Sequence, residues 1–121
     1  MIFILLSLLT LASAEDSLII HQEDAAFYIG KNVRICDVVS NVNIGHTGKV
    51  YFINLEYKKP IQYAMKWNRN PNLSIVLWQD DAKKMSVEPV TELSGRSMCM
   101  DGKLTMYKGI PQLKLKSYYY L

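Results

Sequence analysis

The sequence predicts an all-β fold with minor helical content: a five-stranded Greek-key barrel preceded by a short N-terminal helix. Five runs rich in β-branched and aromatic residues are separated by segments that contain glycine or proline, which is typical of short strands joined by turns. A polar stretch with weak helical character lies between the third and fourth runs. The chain has 121 residues, enough for one domain and too few for two.

The first 14 residues have the pattern of a signal peptide. Residues 2–11 are apolar, and Ala12-Ser13-Ala14 places small residues at the −3 and −1 positions, so cleavage is expected after Ala14. The apolar run is too short to cross a bilayer core of ~30 Å as a helix, and no membrane span is expected in the mature protein. Because the leader has no Lys or Arg, the true start codon could lie further upstream. The alternative to a signal peptide is a buried N-terminal strand or helix.

We therefore expect an exported protein, periplasmic or secreted, whose residues 15–121 form a single domain. This domain begins with a short helix at residues 23–29. Glu23 and Asp24 lie in its first turn, where acidic groups favour the helix dipole, and Gly30 ends it. Ala26, Phe27 and Ile29 are expected to form its apolar side.

The strands follow in order along the chain. Residues 33–44 and 50–57 form the first two strands, joined as a hairpin by Gly45-His46-Thr47-Gly48. A connection at 58–72 contains two prolines and leads into the third strand, residues 73–78. After a weakly helical stretch at 79–93, the fourth and fifth strands are predicted at 96–106 and 110–117, with Tyr107-Lys108-Gly109 as the turn between them.

Three strands, a partly helical connection and two further strands are the order of an OB-fold. In that barrel the first strand pairs with the fourth, and the second and third strands form the exposed binding face. An unspecified small β-barrel or sandwich is the alternative.

Three blocks of the sequence carry a resemblance to a known family: Tyr28-Ile29-Gly30-Lys31, Phe52-Ile53-Asn54-Leu55, and Tyr107-Lys108-Gly109 followed by Pro111-Gln112. Over residues 25–115 the chain resembles small exported bacterial OB-fold domains. These domains are usually described as nucleic-acid-binding, by kinship with tRNA-anticodon-binding and single-strand-binding OB-folds. The resemblance implies no catalytic activity. The chain departs from the family at Asp37, where glycine is usual, and in the longer connection at 58–72.

Alternation along the second strand places Phe52 and Asn54 on the outer face, because Tyr51, Ile53, Leu55 and Tyr57 form the more apolar one. An exposed aromatic ring there could stack on a base, and Asn54 could contact a base edge. Phe52 could instead be covered by the C-terminal Tyr-Tyr-Tyr-Leu segment or by the 58–72 connection.

Further candidate contacts combine aromatic and basic side chains. Trp67 lies between Lys66 and Arg69, a composition suited to phosphates and unstacked bases, although Trp67 could instead plug one end of the barrel. Tyr107 and Lys108 lie in a turn that contacts ligands in many OB-folds, and Tyr107 could equally pack on its neighbour. The remaining basic candidate is Lys49 beside the first hairpin turn.

Two other aromatic features are expected to be structural. Trp78 ends the third strand, where packing in the core or at the rim is expected. Tyr118 to Tyr120 are expected to fray or to cap the barrel.

Charge is unevenly distributed around a net value of +3. Residues 31–69 carry +5 and residues 95–121 carry +4, whereas residues 15–30 carry −4 and residues 79–94 carry −2. The basic excess therefore falls on the strands and loops of the expected binding face, which favours a polyanionic partner, although a solvated surface with no partner would tolerate it too.

Cys36 and Cys99 lie in the first and fourth strands, which neighbour each other in an OB-fold. A cross-strand disulfide is expected in an oxidising compartment, and two buried free thiols are the alternative. Neither cysteine has the context of a catalytic nucleophile. His21 and His46 have no second ligand at metal-binding spacing, and the strand carboxylates are scattered, so we expect no metal, no cofactor and no catalysis.

The leading prediction is a non-enzymatic, exported OB-fold protein, expected to be a monomer, that binds single-stranded nucleic acid or oligonucleotide. The alternative is an envelope or stress interaction module that binds a protein, glycan or small ligand through the same face. A degenerate or accessory nuclease is a minor third possibility.

Overall fold

The computed structural model describes residues 17–57, 70–87 and 89–121. The predicted signal peptide and most of the predicted 58–72 connection, including Lys66, Trp67 and Arg69, lie outside the described residues. Within the described ranges there are six strands: β1 (Leu18–Ile19), β2 (Asn32–Ile44), β3 (Val50–Leu55), β4 (Ser74–Trp78), β5 (Ser97–Tyr107) and β6 (Ile110–Tyr120). One α-helix, α1 (Gln79–Lys84), and two 3-10 helices (Gln22–Tyr28 and Val90–Leu93) complete the described elements.

The strands from β2 to β6 close into a barrel. The sheet order is β1-β2-β3-β4-β6-β5, and the additional pairing of β2 with β5 closes it. The long strand β2 pairs with β5 through its first half and with β3 through its second, with a register shift between Val39 and Asn41. β4 and β6 run parallel to each other. This is the connectivity expected for the OB-fold, so the predicted fold class is confirmed, including the pairing of the first predicted strand with the fourth.

The N-terminal segment departs from its predicted packing. It forms a 3-10 helix whose buried residues are Gln22 and Ala25. The apolar side that was expected to be buried, Ala26, Phe27 and Ile29, is exposed. Phe27 is 82% exposed and Ile29 is also exposed. β1, which was not predicted, adds a short parallel strand beside the start of β2.

The core lies inside the barrel and follows strand alternation. Inward side chains of β3 alternate as predicted, with Ile53 and Leu55 buried. The other strands contribute buried side chains in the same way: Val33, Ile35, Val39, Ile75, Leu77, Met98, Met100, Leu104, Leu113 and Leu115. Gly102 lies at a register shift in β5, where any Cβ would collide with the carbonyl group of Lys114, so β6 can pass close to β5 only beside glycine.

A buried polar network fixes the N-terminal 3-10 helix to the barrel. The Gln22 amide donates hydrogen bonds to the Asp37 carboxylate (2.8 Å) and to the Glu56 carbonyl (2.6 Å). Its oxygen accepts a hydrogen bond from the Asn70 side chain at 2.7 Å. Asp37 therefore takes part in a specific contact at the position where the resembling family usually has glycine.

The C-terminal tyrosines form part of the barrel wall. β6 continues to Tyr120 and pairs Tyr118 to Tyr120 with Met98 to Met100 of β5. The prediction of a frayed end or a cap was therefore wrong, as was the predicted strand end at Ser117. In the part of the chain that the structure describes, no helix is both long and apolar enough to cross a membrane.

Candidate functional site

A cleft of about 540 Å³ lies on the outer surface of β3 and β4. One side is formed by the turn after β2, through His46 and Thr47, and the other by the β5–β6 hairpin. The described residues that line it include the aromatic side chains Phe52, Trp78 and Tyr107, the polar side chains His46, Thr47, Thr105 and Gln112, the cation Lys114, and Val50 and Val76. None of these described lining residues is acidic, so the cleft combines aromatic surface with positive charge.

Strand register brings the aromatic groups together. Phe52 on β3 lies opposite Val76 on β4, and Val50 lies opposite Trp78, so outward positions of the two strands alternate into the same cleft. Trp78 is 47% exposed. It therefore lies at the edge of the cleft and is not buried in the core, where packing was one of the two expectations.

Close packing of the first turn shapes the cleft beside Phe52. A Cβ at Gly45 would collide with the side chain of Val50 and approach the Phe52 ring to 3.2 Å. Glycine at this position thus lets the turn lie directly against β3. His46 and Thr47 are held at the edge of the cleft as a result.

The tip of the β5–β6 hairpin has an unusual backbone. Lys108 has φ of 50° and Gly109 has φ of 80°, as in the type I′ turns that form the two-residue loops of β-hairpins. Lysine is an uncommon residue in this left-handed conformation, which costs L-residues free energy. The Lys108 ammonium lies 5.3 Å from the centre of the Tyr107 ring, so a cation stands next to an aromatic group at the cleft edge.

The residues predicted to bind a ligand fall into four groups, of which the last is Asn54 alone. Phe52 and Tyr107 line the cleft. Lys49 and Lys108 are exposed on the two loops that border it. Lys66, Trp67 and Arg69 lie outside the described residues.

Asn54, also predicted to contact a ligand, has another partner. Its amide donates a 2.7 Å hydrogen bond to the side chain of Asn41 on the neighbouring strand, and Asn54 is absent from the described lining of the cleft. The C-terminal tyrosines pair with the first part of β5, and none of them is among the described residues that line the cleft around Phe52.

Several cleft residues were not predicted from the sequence: His46, Thr47, Thr105, Gln112 and Lys114. Thr105 and Gln112 lie directly opposite each other across β5 and β6. For the three strand residues among them, the sequence signal is the alternation of β5 and β6, which places Thr105, Gln112 and Lys114 on outward positions together with Tyr107.

The disulfide lies between β2 and β5. Cys36 and Cys99 are bonded and occupy directly paired positions on the two strands, which confirms the predicted bridge. Two residues away, the Arg34 guanidinium forms a bidentate ion pair with Asp101 at 2.7 and 2.8 Å. That hydrogen-bonded carboxylate raises the pKa of Arg34 further, so its charge is permanent.

Metal ligands are not clustered in the described ranges, where no group of three or more His, Cys, Asp or Glu side chains could hold an ion. The candidate functional site is the cleft, which lies on the strands and loops at which OB-folds bind oligonucleotides and oligosaccharides.

Comparison with known proteins supports the same fold. No family model and no curated protein match the chain. Among solved structures, a "putative aspartyl-tRNA synthetase" from Leishmania major superposes with a TM-score of 0.59 at 13% identity, covering 89% of this chain and 22% of that chain. The chain thus spans less than a quarter of the synthetase's length.

Two smaller proteins also match. The OBody AM1L10, solved bound to hen egg-white lysozyme, has a TM-score of 0.52 at 14% identity over 78% of this chain and 82% of that chain. A "putative nucleic acid-binding lipoprotein" from Klebsiella pneumoniae has a TM-score of 0.47 at 14% identity over 80% and 75% of the two chains. At these identities the synthetase and the OBody show that the barrel fold is shared, and nothing about what this chain binds.

Proposed function

We propose that this chain is a non-enzymatic, exported OB-fold protein that binds single-stranded nucleic acid in the β3–β4 cleft. The observation that carries the proposal is the convergence of Phe52, Trp78 and Tyr107 from three strands on one cleft that also contains Lys114. Aromatic rings accept unstacked bases of any sequence, and lysine contacts the phosphates between them.

The surroundings of the cleft support a polyanionic ligand. Lys49 and Lys108 lie on the loops that border it, and its described lining has no carboxylate to repel phosphate. Lys108 keeps a left-handed backbone that would suit asparagine or glycine better. The hairpin tip therefore presents a charged side chain at a backbone position that is unfavourable for lysine.

Fluorescence anisotropy of a labelled single-stranded oligonucleotide tests the proposal. We expect binding by residues 15–121 that weakens as salt rises, because cation release contributes to the affinity. Phe52→Ala should weaken binding by about fivefold or more, since one base–aromatic stack contributes roughly 1–3 kcal/mol. Phe27→Ala is the matched control, because Phe27 is exposed and is not among the described residues lining the cleft.

Absence of binding at low salt, or equal affinities of the two alanine variants, would overturn the proposal. The second candidate, an envelope or stress interaction module, is favoured by the same aromatic surface because sugar rings also stack on it. A neutral oligosaccharide that binds without salt dependence would support that candidate instead.

Export is part of the proposal. The Cys36–Cys99 disulfide is the observation that supports it, because such bonds persist in oxidising compartments. N-terminal sequencing of the protein recovered from outside the cytoplasm should give Glu15 as the first residue. An uncleaved leader in that material would contradict the predicted signal peptide.

A further inference from the structure

A second pocket, of about 430 Å³, lies next to the cleft and shares Lys114 with it. Lys84, Lys103 and Lys116 also line this pocket, so four lysine residues border one space. Asp81 is the one carboxylate among its described lining residues. We refer to this region as the lysine pocket. It was not predicted from the sequence, because Lys84 comes from α1 and the other three lysines from the β5–β6 hairpin.

The lysine pocket continues the cleft along the outer face of that hairpin. Thr105 lies opposite Gln112 inside the cleft, and the next outward pair along the two strands is Lys103 opposite Lys114. Successive outward positions of one hairpin therefore lead from the cleft into the lysine pocket. A ligand that runs along β5 and β6 would pass from one region to the other beside Lys114.

The positive charge of the pocket is poorly compensated within the protein. Like charges directly opposite each other on paired strands, as at Lys103 and Lys114, destabilise a sheet. Between described residues, the one ion pair joins Arg34 and Asp101, so no described carboxylate pairs with these lysines. All four lysines are exposed. An anion bound here would reduce the repulsion without a large desolvation cost.

The chemistry of the lining indicates which part of a nucleic acid would bind. The described residues around the lysine pocket include no aromatic side chain, whereas the cleft has three. Lysines without a stacking surface suit phosphate groups, and aromatic groups suit bases. We propose that the lysine pocket is a phosphate subsite that holds the backbone of a single strand whose bases occupy the cleft. This inference rests on the proposed function.

The test compares oligonucleotide lengths and charge-matched variants. Lys103→Gln/Lys116→Gln removes two lysines from the pocket, and Lys31→Gln/Lys83→Gln removes two exposed lysines that are absent from the described lining of both regions. Both pairs change the net charge equally. Affinities are measured by anisotropy for oligothymidylates of about 3 to about 12 nucleotides at several salt concentrations, a range that covers the site sizes of OB-folds.

We expect the wild-type affinity to rise with length as the strand extends from the cleft into the lysine pocket. The Lys103/Lys116 variant should bind the shortest oligonucleotide as the wild type does and lose the gain on lengthening. For the longest strand, the slope of log affinity against log salt concentration should fall in magnitude by about 1.4, because each of the two lost phosphate contacts to a single strand contributes about 0.7. The Lys31/Lys83 control should keep the wild-type length dependence.

The proposal of a phosphate subsite would be overturned if the two double variants showed the same dependence of affinity on oligonucleotide length and the same dependence on salt. In that case, loss of binding in Phe52→Ala would leave the proposed function intact. Failure of the wild-type chain to bind any of these oligonucleotides would overturn both proposals. Circular dichroism of the variants excludes misfolding as the cause of a change.

Discussion

Cys36 and Cys99 are bonded across the two strands whose pairing closes the barrel. The adjacent outward pair on the same strands, Arg34 and Asp101, forms the bidentate ion pair. Two consecutive cross-strand links, one covalent and one ionic, thus connect β2 to β5. β2 also pairs with β3, which carries Phe52. The strand that closes the barrel by pairing with β5 therefore also positions β3 and the cleft on it.

The disulfide should contribute substantially to stability. It joins residues 63 positions apart, so it restricts a long loop of the unfolded chain. We expect Cys36→Ala/Cys99→Ala to lower the free energy of unfolding by about 2–4 kcal/mol in urea titrations. The wild-type protein with and without reductant is the control, and its free thiol count should be zero when oxidised. Equal stabilities of the oxidised protein and the variant would contradict the prediction.

Gln22 should be important for stability although it is polar. It is only 4% exposed, and both ends of its amide are hydrogen-bonded. Gln22→Ala would leave the buried Asn70 amide without this acceptor, so we expect a loss of about 1–3 kcal/mol in the free energy of unfolding. Glu23→Ala, at an exposed neighbouring position, should change it by no more than about 0.5 kcal/mol. Similar losses for both substitutions would show that the network contributes little.

The barrel could be predicted because its signals are local. Alternation in residues 50–57 gave the inward and outward faces of β3, and glycines marked the turns. The N-terminal helix could not be assigned its buried side from pattern alone, because its anchor is a glutamine that contacts residues far along the sequence: Asp37, Glu56 and Asn70. Hydrophobic periodicity does not identify a buried amide, so it predicted that Phe27 and not Gln22 would face the barrel.

The candidate site was only partly predictable for a similar reason. Phe52 and Tyr107 could be identified within single segments, but the cleft also depends on which strands are neighbours. Trp78 and Lys114 come from β4 and β6, whose parallel pairing is a property of the closed barrel. Asn54 was a reasonable candidate by alternation, and only the register of β2 with β3 shows that Asn41 engages it.

Lys108 should show a trade-off between stability and binding. Its left-handed backbone suits asparagine better, so Lys108→Asn should raise the free energy of unfolding by up to about 1 kcal/mol. The same substitution removes a cation beside Tyr107 and should weaken oligonucleotide binding at low salt. Lys31→Asn is the control with the same charge change at a position without a left-handed backbone. A Lys108→Asn protein that is destabilised, or that binds as tightly as the wild type, would contradict the prediction.

Tyr118 should make the protein sensitive to alkaline pH. Burial raises the pKa of Tyr118 above its ordinary value of 10.0, and the neighbouring Tyr120 raises it further. A tyrosine that holds its proton more tightly when folded contributes stability that is fully present below the unfolded pKa and is lost as pH rises through the folded pKa. We therefore expect the free energy of unfolding to fall above about pH 10, and the fall to be shallower in Tyr118→Phe. A Tyr118→Phe protein whose free energy of unfolding falls as steeply above about pH 10 as that of the wild type would show that the alkaline loss does not come from the half-buried Tyr118 hydroxyl.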